Sequence, residues 1–110
     1  QMCIRDRVEC MVDGADMLTM VKPQFEVGKD RLGSGGVVRS PELRAEVTLG
    51  VARFAQSLGL SVRGATASPL PGPSGNVEYF LWLVKDGGEQ QLDDDALTAL
   101  VNRAIEEGPM

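Results

Sequence analysis

The sequence predicts an α/β domain, because apolar runs of strand length alternate with amphipathic stretches of helical length. The order along the chain is strand, long loop, helix, strand, long loop, strand, helix. A right-handed crossover through the first of these helices makes the first two strands parallel members of one sheet. The third strand follows the second without an intervening helix, so we expect it to run antiparallel to the second. A chain of 110 residues is long enough for one small domain with its own core.

The N-terminal stretch, residues 1–7, shows neither helical nor strand periodicity. It resembles a leader found on many unrelated sequences from assembled environmental DNA, so we interpret it as non-native or disordered and expect it to make no packed contacts. Residues 8–14 are typical of the end of a helix, with Gly14 as its stop.

The first strand is predicted at residues 15–21, and its mostly apolar run predicts burial on both faces. Lys22 follows at once, and Pro23 cannot donate a hydrogen bond to a ladder, so the strand must end there. Lys22 therefore stands at the carboxyl end of the strand, where open α/β sheets bind ligands. On these residues alone, a solvated surface lysine is the commoner outcome.

The glycine-rich segment at residues 28–36 predicts a loop with local positive charge from Lys29, Arg31 and the nearby Arg39. Backbone N–H groups of such a loop can bind phosphate. The segment lacks the Gly-Lys-Ser/Thr ending of a Walker loop, and a mobile surface loop is the commoner interpretation.

The clearest helix begins after Ser40, a good N-cap residue, with Pro41 at its first position and Gly59 just beyond its end. Apolar residues recur on one face at spacings of three and four, namely Leu43, Val47, Val51, Phe54 and Leu58. Residues 60–67 then predict the second strand.

The proline- and glycine-rich segment at residues 68–75 cannot form regular structure. The third strand is predicted at residues 77–84, with Glu78 near its start. A last amphipathic helix is predicted at about residues 93–107, with acidic residues at its positive end.

Composition excludes several kinds of site. The chain has no histidine, so acid–base chemistry would depend on lysine or carboxylates, and two cysteines near the N-terminus make neither a disulfide framework nor a zinc site. A net charge of −5 argues against an independent nucleic-acid-binding module. No apolar stretch approaches the length of a membrane span.

Two long blocks carry a resemblance to a known family. Residues 21–28 read Val-Lys-Pro-Gln-Phe-Glu-Val-Gly, and residues 68–80 contain Pro-Leu-Pro-Gly-Pro-Ser-Gly-Asn-Val-Glu. With a third block at residues 35–39, these resemble the TlyA family in the family's own order, over about residues 15–105. TlyA proteins are hemolysin A-like, S-adenosylmethionine-dependent ribosomal RNA 2′-O-methyltransferases related to the FtsJ-type enzymes.

The resemblance implies a Rossmann-like methyltransferase sheet, of which residues 8–110 would be the C-terminal part: parallel strands plus one antiparallel strand, with flanking helices. In that topology the third strand inserts between the first two. The family's site is a Lys-Asp-Lys-Glu tetrad, in which Lys22 matches the second lysine and Glu78 the glutamate. The other two members and the glycine-rich cofactor loop would lie upstream, so this fragment alone is expected to be inactive.

The implied chemistry suits these residue types. A ribose hydroxyl is a poor nucleophile until a base weakens its O–H bond, and a lysine serves as that base only where burial or a second cation favours its neutral form. Glu78 would orient Lys22 and the hydroxyl, with the two charged heads roughly 3 to 6 Å apart.

The remaining expectations also follow from the resemblance. Lys29, Arg31 and Arg39 are candidate contacts to the RNA backbone, and Ser74 and Asn76 are candidate substrate-loop residues. The partners would be ribosomal RNA or a ribosomal subunit in the cytoplasm, the cofactor S-adenosylmethionine, with no metal and no membrane. The alternative is a non-catalytic RNA-binding or scaffold piece that retains the fold.

Overall fold

The computed structural model describes residues 2–27 and 36–109. Three strands form one sheet: β1 (Asp16–Val21), β2 (Leu60–Ala67) and β3 (Tyr79–Lys85). Four helices accompany it: α1 (Met2–Cys10), α2 (Pro23–Glu26), α3 (Pro41–Ser57) and α4 (Asp94–Glu107). A short 3₁₀ turn, Pro73–Gly75, lies in the loop between β2 and β3. The chain is an α/β structure, as predicted.

The last strand of the sequence lies in the middle of the sheet. The strand order is β1-β3-β2, and β3 is antiparallel to both neighbours, with Tyr79 opposite Val21 on one side and Ala67 on the other. The insertion of the third strand between the first two is therefore observed. β1 and β2 run in the same direction because each is antiparallel to β3, but the described sheet contains antiparallel ladders only.

Two helices pack on one face of the sheet. α3 and α4 contact each other and β2, and the core between helices and sheet is made of fully buried aliphatic side chains such as Leu60, Leu81, Leu83, Leu97 and Val101. Both helices begin with the expected caps: Ser40 Oγ accepts from the Leu43 N–H at 3.1 Å, and Asp93 Oδ1 accepts from the Ala96 N–H at 2.8 Å.

The opposite face of the sheet is open, which corrects the prediction that the first strand is buried on both sides. Along β1 the residues alternate between exposed and buried, and 63% of Leu18 and 42% of Met20 is exposed. Across the ladder these residues face Trp82, which is 44% exposed, and Phe80. We call Leu18, Met20, Phe80 and Trp82 the open face. The prediction was wrong because no helix of the described residues covers this side.

The N-terminal residues are packed, which corrects the expectation that residues 1–7 make no packed contacts. α1 is a nine-residue helix, and its Ile4 (6% exposed) and Val8 belong to the core. The Lys85 ammonium donates to the carbonyls of Val8 and Met11 at 2.8 and 2.7 Å, at the C-terminal end of that helix. Two inward side chains are too few to give a visible period, so the sequence pattern missed this helix. That residues 1–7 are non-native stays a prediction.

No helix in the described part of the chain is both long and apolar enough to cross a bilayer.

Candidate active site at the end of the β1–β3 ladder

The ladder between β1 and β3 brings the two candidate residues to adjacent strand ends. Val21 lies opposite Tyr79, so Lys22 and Glu78 occupy the next position on either strand. The backbone of Lys22 is still extended (φ −113°, ψ 94°), and Pro23 then begins the four-residue helix α2. Since side chains alternate along a strand, Lys22 and Glu78 follow Met20 and Phe80 on the side of the open face.

The Glu78 side chain is closely surrounded by other residues and is only 6% exposed. Gln24 Nε2 donates to Glu78 Oε2 at 2.9 Å. Gly72 also lies against the carboxylate, since an added Cβ there would lie 2.5 Å from both the carboxyl carbon and Oε2 of Glu78. The Ser68 N–H donates to the Glu78 carbonyl at 2.8 Å, which fixes the backbone at this point. The carboxylate is therefore placed by the Gln24 amide and by the backbone of Gly72, both of which lie close to Oε2.

Lys22 is exposed, and its ammonium lies 5.9 Å from the centre of the Phe25 ring. Within residues 2–27 and 36–109, no carboxylate oxygen comes within 4.0 Å of this ammonium. The shortest part of the expected range, an ion pair with Glu78, is therefore not formed. A separation toward about 6 Å stays a prediction.

Two cavities adjoin at this end of the ladder. One, of about 290 Å³, is lined by Lys22 and Phe25 among others, and the second, of about 570 Å³, is lined by Glu78 and Gly72 among others. Met20 lines both. The two candidate residues therefore line different cavities, which have Met20 in common.

The two loop residues grouped by the sequence differ in position. Asn76 is buried, and its side chain links two loops, since Oδ1 accepts from the Val38 N–H at 2.9 Å and Nδ2 donates to the Gly36 carbonyl at 3.0 Å. Ser74 is exposed at the turn and has a positive φ of 58°. Asn76 thus holds the loop in place, and Ser74 is the one open to a ligand.

The basic residues are only partly covered by the structure. Arg39 is exposed, and its carbonyl accepts from Arg44 Nη2 at 3.4 Å. Lys29 and Arg31 lie outside the described residues. Contact of these three with RNA stays a prediction.

Three residues of the site and its surroundings were not singled out from the sequence. Gln24 and Gly72 lie inside the two family-like blocks, which is the signal that could have drawn attention to them. Arg44 is fully buried in α3, and its Nη1 donates to Tyr79 Oη at 3.3 Å and to the Pro109 carbonyl at 3.1 Å. Burial raises the pKa of Tyr79, and the Arg44 cation partly opposes that rise.

The described residues contain no cluster of three or more side chains that could hold a metal ion.

The comparison with known families decides what kind of protein this is. The model of the FtsJ-like methyltransferase family matches residues 4–85. The chain belongs to the FtsJ-like methyltransferase family. The match starts within α1 and runs to the end of β3, so it contains both Lys22 and Glu78.

Individual relatives of this methyltransferase-family chain agree with the predicted resemblance to TlyA, which is confirmed. The chain is 56% identical over 102 residues to "16S/23S rRNA (cytidine-2'-O)-methyltransferase TlyA" of Mycobacterium tuberculosis, covering 93% of this chain and 38% of that protein. It is 33% identical over 97 residues to "Putative rRNA methyltransferase YqxC" of Bacillus subtilis, covering 86% and 34%.

A solved structure is similar as well. "Putative hemolysin from Streptococcus thermophilus" superimposes with a TM-score of 0.80 at 33% identity, over 94% of this chain and 38% of that one. The chain therefore spans little more than a third of the length of these relatives.

Proposed function

We propose that this chain is the part of a ribosomal RNA 2′-O-ribose methyltransferase that supplies Lys22 and Glu78 to the active site. The observation that supports this most is the burial and hydrogen bonding of the Glu78 carboxylate. A carboxylate that is 6% exposed, hydrogen-bonded on one oxygen and placed at the strand end beside Lys22 is costly to bury without a use.

In the proposed reaction, the neutral Lys22 amine accepts the proton of a ribose hydroxyl as its oxygen attacks. The Glu78 carboxylate accepts a hydrogen bond from the hydroxyl or from the lysine and so fixes their relative orientation. The transferred methyl group would come from S-adenosylmethionine.

The described residues suit the hydroxyl side of this reaction only. Among the described residues, the cavity beside Glu78 is walled by Met20, Phe80 and the loop 68–72, and none of these belongs to a glycine-rich cofactor loop. We therefore assign to this chain the activation of the hydroxyl, and we expect the cofactor to be held mainly by residues outside it.

Lys22 is exposed in this chain, so the exclusion of water that favours a neutral amine must come from elsewhere. Bound RNA and the remainder of the parent protein are the two sources that the proposal admits. The exposed Arg39 lies in a segment tied by Asn76 to the site loop, which favours contact of this segment with the RNA backbone.

The test uses the parent protein, obtained with the coding sequence upstream of this segment. Transfer of labelled methyl groups from S-adenosylmethionine to ribosomal RNA is measured for the wild type, Lys22→Ala and Glu78→Ala. Loss of a general base costs about 10²- to 10⁴-fold, so Lys22→Ala should abolish detectable transfer while cofactor binding persists. Glu78→Ala should lower the rate less completely, because Glu78 orients and does not accept the proton.

Matched controls come from α4, where Arg103 and Glu106 are exposed. Arg103→Ala and Glu106→Ala remove the same charges and should leave the rate unchanged. If the wild-type parent binds ribosomal RNA without methylating it, the proposed enzymatic function is refuted and the alternative, a non-catalytic RNA-binding or scaffold piece, is favoured. Wild-type rates in Lys22→Ala would refute its role. The 110-residue chain alone should transfer no methyl groups.

A further inference from the structure

We infer that Gln24 is a positioning residue that holds the Glu78 carboxylate in one orientation for the reaction at Lys22. This inference rests on the proposed function. The two side chains are 7% and 6% exposed, and Gln24 Nε2 donates to Glu78 Oε2 at 2.9 Å. A hydrogen bond to an ionised acceptor is stronger and more directional when both side chains are buried than when they lie at the surface.

The chemistry of the pair fixes the orientation of the amide. An ionised carboxylate can only accept, so the nitrogen of Gln24 must face Glu78, and a flipped amide would set oxygen against oxygen. This orientation leaves the amide oxygen without Glu78 as a partner. Gln24 Oε1 is buried and has no hydrogen-bond partner among the described residues. Native proteins leave few buried polar atoms unpaired, and those that persist often mark a functional constraint.

The bond to Gln24 also divides the two oxygens of Glu78. Oε2 accepts from the Gln24 amide, and the backbone of Gly72 lies close to the same oxygen. Oε1 accepts no hydrogen bond from the described residues, and Glu78 lines the cavity of about 570 Å³. Oε1 is therefore the oxygen available to a hydroxyl or an ammonium.

The corner of the chain couples this arrangement to Lys22. Gln24 is two residues beyond Lys22, and Pro23 between them fixes the backbone where β1 ends and α2 begins. Lys22 directly precedes Pro23 in the chain, and Gln24, which follows Pro23, is hydrogen-bonded to the Glu78 carboxylate. One short segment, residues 22–24, thus links the backbone of Lys22 to the Glu78 carboxylate.

The first experiment measures kcat and KM of the parent protein for Gln24→Leu, which removes the donor at similar volume. We expect kcat to fall about tenfold with KM for RNA changed less than twofold. In a Glu78→Ala background the same substitution should have less than a twofold effect, because no carboxylate is left to position. Gln24→His, which keeps a ring N–H donor, should recover part of kcat.

The matched control is Gln56→Leu. Gln56 Nε2 also donates a single hydrogen bond, to the Leu92 carbonyl at 3.1 Å, on the helix side of the sheet. This variant should keep kcat within twofold. An equal loss of kcat in the presence and absence of Glu78 would overturn the inference, because a general structural defect behaves in that way.

A second readout does not depend on activity. In ¹H–¹⁵N spectra of the 110-residue chain, the Gln24 side-chain amide signals should shift on Glu78→Ala, and those of Gln56 should not. If the Gln24 signals do not respond, the pair is absent and the inference fails even in an active enzyme. If the signals respond and the wild-type parent transfers no methyl groups, the proposed function fails, and with it the role of Gln24 in the reaction.

Discussion

Gly72→Ala should displace the Glu78 carboxylate, although a methyl group is the smallest side chain that can be added. The added Cβ would lie 2.5 Å from both Cδ and Oε2 of Glu78, and 3.0 Å from its Cγ. Nonbonded carbon atoms are at optimal separation near 3.5–4.0 Å, so the carboxylate must retreat by about 1 Å. The added Cβ would lie against Oε2, the oxygen that accepts from Gln24 at 2.9 Å, so this movement must lengthen or bend that hydrogen bond.

The cost can be worked out from the contacts that change. Overpacking a filled site costs about 1–3 kcal/mol, and a hydrogen bond to a charged group contributes about 1.5–3 kcal/mol. Because the end of the Glu78 side chain can relax in part, we expect a loss of about 2 kcal/mol in the free energy of unfolding. In a chain of this size that loss lowers Tm by about 8–16 °C.

Urea and thermal unfolding of the 110-residue chain measure this loss, and Gly50→Ala is the control. Gly50 lies inside α3 with no atom within 4 Å of an added Cβ, so alanine there should stabilise the chain by about 0.5–1 kcal/mol. In a Glu78→Ala background, Gly72→Ala should cost less than about 0.5 kcal/mol, the range of ordinary surface changes. An equal cost in both backgrounds would refute the argument that Glu78 fills this space.

Three further predictions concern other parts of the chain. Ile4→Ala should lower the free energy of unfolding by about 2 kcal/mol because Ile4 is in the core. Glu9→Ala, on the exposed side of α1, should change that free energy by less than about 0.5 kcal/mol, and urea unfolding measures both variants. Asn76→Ala removes two loop-linking hydrogen bonds and should cost about 2 kcal/mol, with faster amide exchange in both loops; unchanged exchange would contradict the link. The Ser61 hydroxyl chiefly holds the pKa of Asp86 below its usual value, so Ser61→Ala should raise that pKa in a carboxyl NMR titration. In the unmodified chain, the stabilisation from Asp86 is present above its unfolded pKa, near 3.8, and is lost as pH falls through the lowered folded value.

Local signals were enough to predict most of the helix and strand limits. Ser40 and Pro41 begin α3, and Gly59, with φ +84°, follows its end, as their residue types predicted. These signals work because capping and positive φ are decided by neighbours within a few residues.

Burial on the open face could not be predicted in the same way. Leu18 and Met20 are as apolar as their buried neighbours, so composition predicts a cover for them. Whether a cover exists depends on which other segments are present, and a strand's own residues carry no information about that.

The candidate site was predicted in outline, and its details were not. The resemblance pointed to Lys22 and Glu78, and the ladder brings them to neighbouring strand ends. The bond between Gln24 and Glu78 joins residues 54 positions apart, and the fit of Gly72 against the carboxylate is a matter of tenths of an ångström. Neither spacing nor hydrophobic period encodes contacts of this kind.

The order β1-β3-β2 has a consequence for how the protein is made. β1 and β2 share no ladder, so neither can pair within this sheet until β3, the last of the three to be synthesised, is available. Joining β1 to β3 closes a loop of half the chain, and the entropic cost of such closure precedes the contacts that repay it. Lys22 therefore leaves the ribosome before Glu78, and a nascent chain that stops short of β3 contains both outer strands and Lys22 but lacks the strand that brings Glu78 beside it.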